Sequence, residues 1–287
     1  MYKHCITRIS RSAVIIAIDA SVSMQEWTML YNTCMRKMEA AALIANFAID
    51  ELVMRSTRAG SMRDYFDIIV LHYSDSGIEP IIANEEGGMV HINKLHDIIP
   101  QPVSYNIVQK QEDGTYTTMP LTLNEWVRPK ASGIATMYSA FVHIKELLSE
   151  WCDDTFNQSS FPPIVLHITG GCCGDAEYSE LKDVAADIEA LGTKDGSTLL
   201  VNIYLANEKD ETQNLLFPTV CNNFSQDHDC QMLYNISSTL PRELEHMVKN
   251  VMQCNNDGPY KCFARNASIC EILTLTDIGT ECCNKYR

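Results

Sequence analysis

Short apolar runs alternate with longer amphipathic stretches along this chain. Four of the runs have the length of buried β-strands and lie at residues 13–18, 66–73, 164–169 and 199–205. Apolar positions at helical spacing predict helices over about 25–58, 138–151, 176–191 and 241–252. An alternation of strands and helices is typical of a mostly parallel sheet that is covered by helices. The pattern therefore predicts an α/β fold with a doubly wound, mostly parallel sheet flanked by helices.

The alternation of strands and helices is interrupted between about residues 78 and 128. Two turn-forming segments, 85–88 and 112–114, lie there, and each is flanked by alternating polar and apolar residues. This pattern predicts two β-hairpins inserted before the next helix. We accordingly predict one domain over residues 1–252 with a β-hairpin insertion at about 78–128. Residues 253–287 show weak patterning and are predicted to be a C-terminal extension packed on the domain.

The acidic composition excludes two classes of partner. The chain of 287 residues carries 37 acidic and 22 basic side chains, which gives a formal net charge of −15. A surface of this sign repels nucleic acid and anionic membranes, so we expect neither as a partner. An apolar content of 46% is enough for a sizeable core. We expect a monomer.

Localisation is inferred from the N-terminal segment and from the cysteines. The first 12 residues contain Lys3, Arg8 and Arg11 and no apolar segment of the kind found in secretory signals. No run reaches the roughly 18 apolar residues of a membrane span. The 12 cysteines are spread along the whole chain, and several lie in apolar stretches. These features favour a cytoplasmic protein with free thiols over a secreted protein with disulfides.

The end of the first predicted strand carries the residues with the clearest chemistry. Asp19, Ser21 and Ser23 follow the apolar run at alternate positions. In an open α/β sheet, ligands bind beyond the carboxyl ends of the strands. Carboxylate and hydroxyl oxygens are hard donors of the type that Mg²⁺ and Mn²⁺ prefer. We therefore expect Mg²⁺ or Mn²⁺ at this position.

The Asp-x-Ser-x-Ser spacing after a strand resembles the first motif of the metal-ion-dependent adhesion site of von Willebrand factor A (vWA) domains. The segment 132–137 is similar to the Gly-Gly-Thr-Pro-Met loop of those domains, in which the threonine reaches the metal. Gly133 and Thr136 carry this match, whereas Ile134 and Ala135 replace the usual glycine and proline. By this resemblance Thr136 is a metal ligand, although a threonine here also suits a helix N-cap.

The third motif of the family departs from the expected pattern. A domains usually have Thr-Asp-Gly after the fourth strand, but here Thr169 is followed by Gly170. The loss of one carboxylate weakens the attraction for a divalent cation, so we expect weak binding. Asp175, five residues further on, is a candidate replacement that a glycine-rich loop would bring back to the site. Its alternative role is to cap the following helix.

The resemblance covers about residues 12–252 and implies a vWA, Rossmann-like fold. It is closest to bacterial cytosolic A-domain proteins of the tellurite-resistance TerY type, which are encoded beside kinase-like and phosphatase-like partners. Domains of this family are not usually enzymes, and they bind a partner's carboxylate that completes the metal coordination. The implied function is a protein-interaction module that uses a degenerate adhesion site.

A metal-dependent hydrolase or phosphatase that uses Asp19 is the alternative function. Aspartate after a first strand is also the nucleophile of haloacid-dehalogenase-type phosphatases, whose motif is Asp-x-Asp. Ser21 stands here in place of the second aspartate. The chain contains no Gly-x-Ser-x-Gly nucleophile elbow and no glycine-rich phosphate loop. Its paired and eight-residue cysteine spacings do not fit a zinc site.

Overall fold

The computed structural model describes residues 2, 6–30, 32–110, 115–171, 173–207, 214–219, 227–252 and 258–267. The α-helices are α1 (Lys37–Ser56), α2 (Met137–Asp153), α3 (Tyr178–Ala190), α4 (His228–Ile236) and α5 (Glu245–Met252). Short 3₁₀ helices span Val22–Gln25, Ile92–Asp97 and Arg242–Leu244. The strands, in chain order, are β1 (Ser12–Asp19), β2 (Trp27–Leu30), β3 (Thr33–Arg36), β4 (Thr57–Arg58), β5 (Ser61–Met62), β6 (Phe66–Ser74), β7 (Gly77–Ile82), β8 (Val90–His91), β9 (Pro102–Lys110), β10 (Tyr116–Asn124), β11 (Ile164–Thr169), β12 (Gly192–Thr193), β13 (Gly196–Ser197), β14 (Leu199–Tyr204), β15 (Leu215–Leu216) and β16 (Phe263–Arg265).

A central sheet of eight strands organises the fold. Its order is β15-β16-β14-β11-β1-β6-β7, and β8 pairs with the beginning of β6. The five inner strands, from β16 to β6, run parallel to one another. Strands β7, β8 and β15 are antiparallel and lie at the two edges. The predicted α/β fold with a mostly parallel sheet is confirmed.

The central strand β1 separates two hydrophobic cores. All eight of its residues are buried, and successive side chains point to opposite faces of the sheet. Val14, Ile16 and Ile18 pack in the core that contains residues of α1 and α5. Ala13 and Ile15 belong to the opposite core, beneath α2, α3 and α4. The apolar run that predicted this strand therefore contributes side chains to both cores, one on each face of the sheet.

The helix predicted from about residue 25 begins twelve residues later than expected. A β-hairpin formed by β2 and β3 occupies the intervening segment, and Asn32 in its turn has a positive φ of 52°. The guanidinium of Arg36 lies 4.0 Å from the ring of Trp27, which joins the two strands. Helix α1 starts after Arg36, whose backbone N–H donates to the Glu39 side chain. Met35 of β3 is at helical spacing from Met38 and the following apolar residues of α1, and this spacing caused the error.

One of the two predicted hairpins is present. Strands β9 and β10 pair in antiparallel register over nine positions each, and the turn between them lies outside the described residues. The hairpin predicted around residues 85–88 does not form. Strands β7 and β8, on either side of that segment, both pair with β6 instead of with each other. Pairing with β6 buries the strands against an existing sheet, which an isolated hairpin cannot offer.

The predicted domain boundary at residue 252 stays a prediction. Strand β16 lies beyond it and pairs with β14 inside the central sheet. Residues 253–257 and 268–287 of the predicted extension lie outside the described part of the chain. The pattern did not predict the nine-residue helix α4, which Asp227 caps by accepting from the backbone N–H of Cys230.

Two expectations from composition can be compared with the described residues. Cys152, Cys173 and Cys262 are free thiols. Across the described ranges, every helix is too short or too polar to cross a lipid bilayer.

A line of buried polar side chains crosses the sheet below its carboxyl edge. His167 is fully buried, and its Nδ1 lies 2.7 Å from Asn202 Oδ1. The Asn202 amide donates to Ser237 Oγ at 2.9 Å, so its oxygen faces the imidazole as an acceptor. The Nδ1 atom therefore carries the proton, and Nε2 accepts from the Tyr73 hydroxyl at 2.7 Å. Burial lowers the pKa of His167 from 6.5 to about 4, which keeps the imidazole neutral.

This buried imidazole predicts acid-labile stability. The pKa of His167 is lower in the folded state than in the unfolded state. The contribution of the neutral imidazole to the free energy of unfolding is therefore complete above pH 6.5 and is lost as the pH falls towards 4. The loss should amount to about 3 kcal/mol, at 1.36 kcal/mol per pKa unit. His167→Gln keeps a neutral donor and acceptor, so its free energy of unfolding should fall less steeply between these pH values. Urea unfolding at a series of pH values measures this difference.

His72 is the natural reference for this comparison, because burial also lowers its pKa to about 4 and it is unchanged in the variant. Parallel stability profiles for the wild type and His167→Gln would show that His167 is not protonated on unfolding.

Candidate functional site

The loop before α2 is tied to the loop that follows β1. The backbone N–H of Ser132 donates to the carbonyl of Ala20 at 2.7 Å. In return, the N–H of Val22 donates to the carbonyl of Gly133 at 2.8 Å. These reciprocal bonds bring together the two segments that resemble the first and second adhesion-site motifs.

The same loop also contacts the ends of β6 and β11. The N–H of Asp75, beyond β6, donates to the carbonyl of Ile134 at 2.9 Å. The N–H of Gly174, beyond β11, donates to the carbonyl of Ala135 at 2.9 Å. Gly133 has a φ of +74°, and a β-carbon there would lie 1.7 Å from the Asp75 carboxylate, so only glycine fits. Loops from three neighbouring strands thus converge at the carboxyl edge of the sheet.

Asp19 is the buried centre of this edge. Its side chain is fully buried, and Oδ1 accepts the backbone N–H of Ser21 at 2.8 Å. The other oxygen, Oδ2, accepts the Thr169 hydroxyl at 3.0 Å and the Gly170 N–H at 3.4 Å. Both carboxylate oxygens are therefore engaged by the protein, and they join the end of β1 to the end of β11.

The two predicted serine ligands lie side by side. Ser21 Oγ and Ser23 Oγ are 2.8 Å apart and share a hydrogen bond. Neighbouring ligands of an octahedral Mg²⁺, each 2.0–2.1 Å from the ion, are separated by about 2.9 Å. The spacing of the hydroxyl pair therefore fits two adjacent positions of such an ion.

Thr136 occupies the N-cap position of α2, but its side chain makes no capping hydrogen bond. The capping role considered from the sequence is therefore not performed by its hydroxyl. The carboxylate of Asp175 takes this role from outside the helix, accepting from the backbone N–H groups of Tyr138 and Ser139 at 3.1 and 2.9 Å. This arrangement leaves the Thr136 hydroxyl available to a ligand.

Asp175 is thus committed to the beginning of α2. Its Oδ2 also accepts the Ser139 hydroxyl at 2.8 Å, and the helix dipole favours a negative charge at this end. The expected alternative, in which Asp175 caps the following helix, is wrong because Glu177 and Glu180 form a capping box at the start of α3. Its role as a metal ligand stays a prediction.

Gly170 stands where the resemblance to vWA domains would place a second aspartate. The surroundings of Gly170 show which side chains lie at this position instead. A β-carbon at this position would lie 3.4 Å from Ser23 Oγ, so the position faces the serine pair. It would also lie 3.4 Å from Cδ of Lys37, the first residue of α1. The Lys37 ammonium lies 3.0 Å from a carboxylate oxygen of Glu26 and 3.4 Å from the Gly170 carbonyl oxygen. Sequence analysis overlooked this lysine because it placed Lys37 inside a longer helix.

The donor set fits Mg²⁺ or Mn²⁺ in type but is poor in charge. Asp19, Ser21, Ser23 and Thr136 would supply one carboxylate and three neutral oxygens, and a buried ammonium lies nearby. Among the described residues, no group of three or more His, Cys, Asp or Glu side chains is arranged to hold a metal ion. Weak binding of a cation at this site stays a prediction.

Exposed apolar side chains occur on these loops and on the elements that follow them in the chain. Val22 and Ile134 lie on the loops just described, Trp27 begins β2, and Tyr178 begins α3. Their exposed fractions are 55%, 58%, 45% and 43%. We call these four residues the apolar rim. Tyr178 also lines a pocket of about 410 Å³ together with residues of α4.

Comparison with known proteins gives similarity in structure only. No family model matches the chain, and no curated protein matches it. Over 69% of its length the chain is similar to a von Willebrand factor type A protein from Catenulispora acidiphila, with 14% identity and a TM-score of 0.40, and it spans 34% of that protein. The SpRpn10 VWA domain is similar over 68% of this chain and 76% of its own, with 10% identity and a TM-score of 0.38.

A third similar structure is an aerotolerance-related membrane protein from Bacteroides fragilis NCTC 9343. It shares 10% identity over 78% of this chain and 86% of its own, with a TM-score of 0.35. Our assignment of the fold class rests on the strand order of the central sheet.

Restoring the carboxylate should strengthen cation binding. The wild type should show no sub-micromolar Mg²⁺ affinity by calorimetry, because the site has a single carboxylate. Gly170 does not have a positive φ, and its β-carbon position has contacts of 3.2–3.4 Å, so Gly170→Asp should fold. The added charge should tighten Mn²⁺ binding by on the order of 1–3 kcal/mol, measured by calorimetry and by the Mn²⁺-dependent rise in melting temperature.

Gly88→Asp is the matched control, since it adds the same charge in the loop between β7 and β8, and its Mn²⁺ affinity should equal that of the wild type. If Gly170→Asp and the wild type gain equally from Mn²⁺, residue 170 does not contribute to a cation site.

Proposed function

We propose that the protein is a non-enzymatic protein-interaction module whose binding face is the carboxyl edge of the sheet. The observation that carries this proposal is the convergence of three loops around Asp19, with the apolar rim exposed on the surrounding segments. Exposed apolar side chains grouped beside polar ones are typical of surfaces that bind other proteins. The engaged carboxylate below them keeps these loops in a fixed arrangement.

The ligand that best suits this edge is an acidic group on the partner. The hydroxyls of Ser21, Ser23 and Thr136 are neutral, so they leave the positive charge of a bound cation largely uncompensated. Mg²⁺ or Mn²⁺, when bound there, would offer an open coordination position to a carboxylate oxygen. The apolar rim would contact the residues that flank the acidic group.

The structure offers little support for Asp19 as a nucleophile. A nucleophilic carboxylate needs an oxygen that the substrate can reach. Asp19 is fully buried, and three donors of the protein occupy its two oxygens. We therefore prefer the interaction module to a metal-dependent hydrolase or phosphatase.

The resemblance to TerY-type proteins extends this proposal. It suggests a kinase-like or phosphatase-like protein as the partner, and it agrees with a monomeric, cytoplasmic module. These assignments depend on the sequence resemblance, and the binding-face proposal can be tested independently of them.

Selection of peptides from a random display library on the immobilised protein tests the binding face. Selected peptides should contain an Asp or Glu whose replacement by Asn or Gln abolishes binding. Ile134→Ser and the double variant Ser21→Ala, Ser23→Ala should weaken binding by about tenfold or more, as expected for central contacts. Ile99→Ser is the matched control, because Ile99 is 87% exposed and lies before β9, outside the rim.

Peptides that bind the site and rim variants as tightly as the wild type would contradict the proposed face. Hydrolysis of a generic phosphoester that Asp19→Asn abolishes would favour the enzyme instead.

A further inference from the structure

Lys37 is a buried cation at the candidate site. Its side chain is only 2% exposed, and its ammonium contacts Glu26 and the Gly170 carbonyl. Glu26 is itself 53% exposed, so water screens part of its charge. The lysine also acts on the half-buried Asp229. The pKa of Asp229 is raised overall, by burial and by the nearby Asp227, and Lys37 opposes this rise.

The position of Lys37 conflicts with two local preferences. An ammonium group is costly to bury even when it is paired. A positive charge in the first turn of a helix is also unfavourable, because the helix dipole is positive at that end. Departures of this kind tend to occur where function requires them. Burial of a lysine here is therefore better explained by the site than by the stability of α1.

Lys37 packs beside Gly170. A β-carbon at residue 170 would lie 3.4 Å from Lys37 Cδ, which is close to van der Waals contact. Gly170 also joins Lys37 to Asp19, because its carbonyl accepts from the ammonium while its N–H donates to the carboxylate. The position that lacks an aspartate is therefore the one against which the lysine packs.

We infer that the Lys37 ammonium is a resident positive charge that balances Asp19 and lowers the affinity of the site for divalent cations. This inference rests on the proposed function only in locating the site at the Asp19 loops. Tight Mg²⁺ or Mn²⁺ sites have an excess of negative charge. Here Asp19 is the one carboxylate of the donor set at the sheet edge. The Lys37 ammonium, which is paired with the half-exposed Glu26, lies beside Gly170. Lys37 thus determines the cation requirement of the binding face and does not bind the partner itself.

Removal of this charge should convert the site into a tighter cation site. Lys37→Met and Lys37→Gln should each bind Mn²⁺ about tenfold or more tightly than the wild type, because a nearby repulsive charge is lost. Electron paramagnetic resonance of free Mn²⁺ measures the affinity directly, and circular dichroism verifies folding. Lys145→Met is the matched control, since Lys145 pairs with Asp187 at 2.8 Å on the surface of α2, and it should bind Mn²⁺ as the wild type does.

A second test leaves Lys37 in place. In the Gly170→Asp background, Glu26→Gln removes the carboxylate that compensates the lysine, so Mn²⁺ affinity should fall several-fold. Lys37→Met in the same background should raise it instead.

Folded Lys37 variants with wild-type Mn²⁺ affinity would overturn the inference, as would a Glu26→Gln variant that binds Mn²⁺ no more weakly than its parent. These outcomes are independent of peptide binding. Failure of the proposed function would give a different result. Selected peptides would then bind the site and rim variants as tightly as the wild type, and the Mn²⁺ results would be unchanged.

Discussion

The carboxylate of Asp19 is buried at the end of the central strand, and a buried charge must find partners within the protein. It accepts from the N–H of Ser21, from the Thr169 hydroxyl and from the N–H of Gly170. These bonds fix the course of the loop after β1 and attach it to the end of β11. The loop before α2 then docks on the same segment through Val22. The geometry of the binding face thus follows from the need to satisfy one carboxylate.

In our proposal, charge balance separates this edge from a tight metal site. The ammonium of Lys37 approaches the same peptide unit, Gly170, that donates to Asp19. An aspartate at residue 170 would add a negative charge beside the serine pair, whereas the glycine adds none and has the lysine stem next to it. The proposed face keeps two hydroxyls at a spacing that suits a cation. Its negative charge is largely offset within the protein.

The features that the sequence predicted correctly are local ones. A run of apolar residues specifies a buried strand. Ser21 and Ser23 come together through the 3₁₀ helix that follows this strand, which the pattern did not predict. The features that were not predicted depend on contacts between distant residues. The buried ammonium of Lys37 contacts Gly170, which lies 133 residues away in the chain. Asp175 accepts hydrogen bonds from the beginning of α2. The residues next to Asp175 in the sequence do not indicate this contact.

Errors in the predicted elements have a similar origin. Met35, before α1, continues the helical spacing of the apolar residues in that helix, yet it lies in a hairpin in which Trp27 packs on Arg36. The turn at residues 85–88 joins strands that both find a better partner in β6. Local pattern identifies a candidate element, but the availability of a neighbouring strand decides how it pairs.

Anomalous diffraction at the manganese absorption edge tests the charge account most directly. Wild-type crystals soaked in low-millimolar Mn²⁺ should show no strong peak beside the hydroxyls of Ser21 and Ser23, with the Lys37 ammonium still within hydrogen-bonding reach of the Gly170 carbonyl. A fully occupied Mn²⁺ coordinated by these serines, with Lys37 in place, would contradict it.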